Sequence, residues 1–136
     1  MNSSRVQFYF AVLLLVGITW AVFWPVTRFE FVNYDDDRYI AKNPYLLDGL
    51  SWKGIRWAFT ADLTTPSPYV DYWQPVTLLS RMLDTGLFGL NARGHHTMNL
   101  ILHTFNAILL FELSWSWTGA LGRSACVAAF FALHPL

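Results

Sequence analysis

The sequence predicts an all-α membrane protein: two complete transmembrane helices, a truncated third, and a long extracytoplasmic loop containing short interfacial helices. Three observations lead there. Apolar residues make up 54% of the 136 positions and charged residues only 13%, with seven Trp and eleven Phe, which is more apolar surface than a soluble domain of this size can hide. Two long apolar runs, Val6 to Thr27 and His95 to Trp117, stand far apart in the chain. The segment between them, residues 28–94, is too charged for a membrane core and too aromatic for a free linker.

The first run carries no charged residue, and about 20 apolar residues suffice to cross a hydrocarbon core roughly 30 Å thick. Trp20, Trp24 and Pro25 near its end suit an interfacial belt and a helix stop. Arg5 precedes it, as in a signal peptide, but the apolar stretch is longer than such a peptide needs and no A-x-A-like cleavage site follows. A retained signal anchor is the expectation, with transmembrane helix one over residues 6–27.

Within the loop, Ser51 is placed to cap a helix carrying Trp52, Ile55, Trp57 and Phe59 with Lys53 and Arg56 among them. A helix both aromatic and basic suits a position flat on a bilayer. Tyr72 to Phe88 is a second helix, with Pro75 in its first turn. Thr64-Thr65-Pro66-Ser67-Pro68 between them reads as a turn or loop. Transmembrane helix two follows over 95–117, Thr118 to Arg123 is a short turn, and 124–136 begins a third apolar helix too short to span. That abrupt stop leads the sequence to be read as a piece of something larger. Arg5 and Arg123 fall on one side after two crossings, which places the N-terminus in the cytoplasm and the loop outside.

Formal net charge is zero and no basic block is present, so no nucleic-acid partner is expected. The single cysteine, Cys126, excludes an internal disulfide and every multi-cysteine metal site; it reads as an inert core or lipid-facing thiol. His95, His96 and His103 lack an H-E-x-x-H spacing, and no metal site is assigned, though a divalent requirement stays open. There is no glycine-rich phosphate loop and no G-x-S-x-G elbow.

Two constellations can carry chemistry. In Asn33-Tyr34-Asp35-Asp36-Asp37-Arg38, adjacent carboxylates raise one another's pKa by repulsion unless a cation or hydrogen bonds intervene. A carboxylate held at the membrane edge can deprotonate an acceptor hydroxyl as general base; the bland alternative is a solvated turn or a helix cap. On the second long helix, His96, Asn99, His103 and Asn106 are spaced 3, 4 and 3, within roughly 80° of one another, so one stripe is polar. Such groups at membrane depth line a wet or functional interior, or else act as helix–helix glue. Glu112 falls off the stripe and reads as structural. Trp52, Trp57, Tyr72 and Trp73 suit either sugar stacking or interfacial anchoring.

The order of these segments is familiar. One transmembrane helix is followed by Phe31-Val32-Asn33-Tyr34-Asp35-Asp36, then Leu50-Ser51-Trp52-Lys53-Gly54-Ile55-Arg56-Trp57-Ala58-Phe59-Thr60. Trp73-Gln74-Pro75-Val76-Thr77, Leu87-Phe88-Gly89-Leu90-Asn91 and Gly94-His95-His96-Thr97-Met98-Asn99-Leu100 come next, with Phe131-Ala132-Leu133-His134-Pro135-Leu136 at the close. Nearly the whole chain resembles the N-terminal part of bacterial membrane proteins related to the transmembrane-and-TPR protein O-mannosyltransferases, which are similar to the GT-C class of glycosyltransferases. The resemblance implies a partial GT-C-like membrane domain over 1–136 in a bacterial inner membrane. It also implies a polyprenyl-phosphate sugar as donor substrate, membrane lipid as surroundings, a protein or glycan acceptor, and inversion at the anomeric carbon. Asp35 and Asp36 match the family's acidic pair, Asp35 as the base. Asp37 departs from the pattern and receives no role. Arg38, Arg81, His96, Asn99 and His103 are the basic and polar groups available to substrate. Relatives continue into further spanning helices and a TPR array, so residues 1–136 alone are expected to be inactive. The alternative reading is a non-catalytic membrane anchor for a TPR scaffold or envelope assembly, and a transporter using the His/Asn stripe is a more distant third.

Overall fold

The computed structural model describes residues 3–32, 34–61 and 67–134, and every regular element among them is helical. The chain forms two compact units, residues 27–98 and residues 1–26 with 99–136.

In the second of these, helix α1 (Ser3–Phe23) ends in a 3-10 turn over Trp24–Arg28. Pro25 removes a backbone donor there, and a proline is poorly housed in a helix interior. The stretch Arg5–Arg28 is the one segment among the described residues long and apolar enough to cross a membrane. Only 11% of its most apolar window is buried, so its apolarity is not spent on a core within this structure. Phe8 stacks on Phe111, ring centroids 5.3 Å apart, and on Trp115 at 4.9 Å. These partners lie on α5 (Ala92–Thr118), and α6 (Leu121–Leu133) completes the unit. Ser124, Ala128 and Ala132 are the buried residues of α6; at i, i+4 and i+8 they form one small-residue face that lets backbones approach closely. Gly119, at φ 63°, ends α5 by donating its N–H to the Trp115 carbonyl, the left-handed terminus that glycine favours.

Three boundaries differ from the sequence reading. The turn before α6 is only two residues, and Gly122 and Arg123 belong to the helix, because Gly119 alone suffices to stop α5. The expected third helix therefore starts earlier, and residues 135–136 lie outside the described residues. The second long helix begins at Ala92, where the Asn91 side chain accepts from the Arg93 N–H at 3.1 Å. At 27 residues α5 is long enough to cross a membrane, but its histidines, asparagines and Glu112 leave α1 as the only described helix that is also apolar enough.

Unit 27–98 holds a π turn (Asp37–Ala41), α2 (Pro44–Leu47), α3 (Trp52–Thr60) and α4 (Pro75–Phe88). Its core includes Tyr39, Ile40, Leu46, Ala58, Ala61, Val70, Leu78 and Met82. Asn43 is fully buried and caps α2 by accepting from the Tyr45 N–H at 3.1 Å. This short helix was not read from the sequence, since four residues show no periodicity. Ser51 caps α3 as expected, accepting from Gly54 N–H at 3.1 Å. The helix expected from Tyr72 begins instead at Pro75, because proline biases the residue before it away from helical backbone. Of the expected turn at 64–68, residues 64–66 lie outside the described residues; Ser67 accepts from the Tyr69 N–H at 3.3 Å.

Gly49 closes α2's approach to α4. Its φ is 64°, and a Cβ there would stand 3.2 Å from the Gly86 Cα. Gly49→Ala should lower stability by about 1–3 kcal/mol through left-handed strain and backbone overpacking. Gly17→Ala, mid-helix with nothing within 4 Å of its Cβ, should be neutral or stabilising. Thermal unfolding of both variants in one detergent checks the contrast.

Candidate functional site

The acidic turn comes first in chain order. The Asp36 carboxylate accepts the Val32 N–H at 2.9 Å, so one member of the triplet fixes the turn's shape. Asp35 is exposed. Asp37 opens the π turn that presents Arg38 and Tyr39.

These two residues meet partners distant in sequence. Arg38 and Asp71 form a salt bridge, and the Tyr39 hydroxyl donates to the other Asp71 oxygen at 2.5 Å. The Asp71 carboxyl is held below its ordinary range, first by the Tyr39 hydroxyl and then by Arg38. Arg38 is raised, chiefly by its hydrogen bond to Asp71. Tyr39 is pushed up, by burial first and then by Asp71. Arg81, reaching in from α4, brings a second guanidinium to the same ring: the Arg38 and Arg81 guanidinium carbons lie 5.0 and 5.2 Å from the Tyr39 centroid, within cation–π range. The Arg38 Nε and Arg81 Nη1 are buried without a hydrogen-bond partner among the described residues. Arg38 meets the Asp71 carboxylate, Arg81 stands at the same ring, and each keeps an unpaired N–H donor, an arrangement that suits oxyanions.

One turn along α4 from Arg81, Asp84 is 3% exposed and its Oδ1 has no partner. Burial pushes this carboxyl up against the opposing pull of His95 and Arg81. His95, itself buried, donates from Nε2 to the Gly89 carbonyl at 2.9 Å, and Phe31 packs edge-on against its ring at 5.3 Å.

The structure therefore brings Arg38 and Arg81 together, directly after the acidic turn in the case of Arg38. It does not gather the polar stripe of α5 into one place. The His96 Nε2 is buried and unpartnered, with Phe31 at 6.2 Å. Asn99 and Asn106 are exposed. His103 donates to the Ala132 carbonyl at 2.9 Å between Phe23 and Phe131, the helix-joining role of a polar group in an apolar bundle. Among the described residues no group of three His, Cys, Asp or Glu is placed to hold a metal ion. Sequence reasoning missed Tyr39, Asp71 and Asp84, and weighed His95 only as a metal ligand. The one available signal was Arg81 and Asp84 at i, i+3 on a helix; nothing local ties Asp71 to residues 38 and 39.

Comparison with known proteins adds a separate line. The chain is 31% identical over 112 residues to human "Protein O-mannosyl-transferase TMTC2", covering 76% of this chain and 12% of that protein. It is 29% identical over 133 residues to mouse "Protein O-mannosyl-transferase TMTC1", covering 93% of this chain and 14% of that protein. The chain is related to the TMTC O-mannosyltransferases. It spans about an eighth of their length, and the segment it shares includes most of both units. No family model and no solved structure matches.

Asp84 yields a pH test. A carboxyl raised in the folded state favours the fold while protonated, and that advantage is lost as pH rises through its folded value. Asp84→Asn, neutral throughout, should therefore unfold at higher temperature than the wild type at pH 7. The difference should shrink as pH falls toward the unfolded carboxyl value of about 3.9. Melting curves across pH 4–8 check it.

Proposed function

We propose that this chain forms the N-terminal, acid-bearing part of a membrane glycosyltransferase that moves a sugar, mannose by analogy with its relatives, from a polyprenyl-phosphate donor to a hydroxyl of a protein acceptor. The observation that carries the reading is the acidic turn leading directly into an arginine pair, in a chain related to O-mannosyltransferases. A transferase of this kind needs a base for the acceptor hydroxyl and cationic donors for a leaving phosphate.

The residues divide that work. Asp35, exposed at the lip of the turn, takes the proton from the acceptor hydroxyl as its oxygen attacks the anomeric carbon. The bond from that carbon to the phosphate oxygen breaks, its electron pair leaves with the polyprenyl phosphate, and attack from the opposite face inverts the anomeric centre. Asp36 holds the turn through the Val32 N–H. Arg38 and Arg81, with buried N–H groups to spare, neutralise charge developing on the leaving phosphate. The span Arg5–Arg28 anchors the unit in the membrane, with the N-terminus cytoplasmic and residues 28–94 on the far side, where a lipid-linked donor presents its headgroup. His96, beside Phe31, is the remaining polar group of α5 within reach of such a headgroup. Asn99 is exposed on the same helix and is given no role, and His103, committed to Ala132, contributes to helix packing in this scheme.

The test is a chimera in which residues 1–136 replace the matching segment of a full-length relative, assayed in membranes with a radiolabelled polyprenyl-phosphate mannose. Asp35→Asn should lower transfer by roughly 10²–10⁴-fold at matched protein levels, the range for loss of a general base. Unchanged transfer would return Asp35 to the role of a turn residue.

A further inference from the structure

The Arg38–Asp71 pair has a feature a structural salt bridge does not need. Both side chains are substantially exposed, 42% and 50%, and an exposed pair adds little to stability. The loop bearing Asp71 is already tied down nearby: Val70 is buried in the core, and the Trp73 indole N–H donates to the Phe59 carbonyl at 3.0 Å. Tyr39 is likewise seated in the core by its ring. The segment bearing Asp71 thus has tethers besides Asp71, whose carboxylate covers Arg38, one of the two guanidiniums that stand within about 5 Å of the Tyr39 ring. Arg81 meanwhile keeps a buried N–H unpaired. Around one aromatic ring stand two permanent positive charges and one exposed, displaceable negative charge.

We infer that Asp71 is a resident competitor at a phosphate-binding site formed by Arg38, Tyr39 and Arg81: its carboxylate occupies Arg38 when the site is empty and is displaced when a phosphate group bridges the two guanidiniums. A phosphate carries up to two charges and enough oxygens to engage both arginines at once, while one carboxylate satisfies Arg38 and the Tyr39 hydroxyl alone. Displacement exchanges one charge-assisted contact for several and leaves Asp71 solvated at the surface. The Tyr39 hydroxyl, released from Asp71, turns its proton to a phosphate oxygen. The device weakens binding of weak oxyanions and lets the product phosphate be expelled as Asp71 returns. It rests on the arginine pair binding phosphate, as in the proposed function, but adds that the affinity is set from within.

The experiment uses the whole chain in phosphatidylcholine nanodiscs, titrated separately with farnesyl phosphate and with inorganic phosphate at fixed ionic strength, and followed by tryptophan fluorescence. Wild type, Asp71→Asn, Asp71→Ser and Arg81→Gln are compared, with melting curves to confirm folding; two Asp71 variants guard against one failing to fold. The expected result is binding at least roughly threefold tighter in both Asp71 variants, as for loss of an exposed competing charge, and lost in Arg81→Gln. Tightening in both titrations assigns the phosphate group itself; tightening with farnesyl phosphate alone assigns a lipid-borne phosphate, and either supports the inference. If wild type binds and the Asp71 variants bind equally or more weakly, Asp71 is no competitor and the inference is overturned while the phosphate reading stands. If wild type and Arg81→Gln show no binding and the Asp71 variants none either, the phosphate reading falls and takes the inference with it.

Discussion

The unit over 27–98 is organised around a single buried tyrosine. Tyr39 is 8% exposed, so its hydroxyl needs a partner and its ring needs neighbours. Asp71 answers the first need, and Ile40, Val70 and Leu78 are among the core residues that answer the second. Meeting both brings the π turn, the loop before α4 and α4 itself to one point. The two guanidiniums gather at this ring because an aromatic face attracts cations most where water is partly excluded. The acidic turn inherits its place from this arrangement, since Asp35 and Asp36 lie only a few residues ahead of Tyr39 on the same segment.

Unit 1–26 with 99–136 obeys a different constraint. Several of its polar groups are satisfied by their own helix or by the next one: Thr19 donates to the Leu15 carbonyl and Thr104 to the Leu100 carbonyl, each at 2.7 Å, and His103 to Ala132. Large apolar side chains such as Phe10, Leu13, Phe105 and Phe130 stand outward, which suits hydrocarbon surroundings and would be a liability in water.

Much of the architecture was legible in the sequence because it rests on local signals. The uncharged run after Arg5 specifies α1, Ser51 specifies the start of α3, and Pro75 lies in the first turn of α4. The reading slipped where local signals were short or ambiguous, as at α2, at the two-residue turn before α6, and at the start of α5. The candidate site was legible in half. Asp35, Asp36 and Arg38 announce themselves as neighbours, and the pairing of Arg38 with Arg81 was not predicted although both were named as available cations. Asp71 and Asp84 were invisible because their significance is tertiary. A lone aspartate before Tyr72 carries no periodicity and no motif, and a mid-helix aspartate looks solvated until the helix packs.

The account turns on Arg38 and Arg81 acting together on one phosphate across one ring. A double-mutant cycle measures this most directly: sugar transfer by the chimera carrying Arg38→Gln, Arg81→Gln and both, with kcat/KM for the lipid-linked donor as the readout. The account predicts strong non-additivity, the double variant losing little more than the worse single one, because removing either guanidinium already breaks the shared contact. Losses that multiply would mean that the two arginines act independently, and would contradict it.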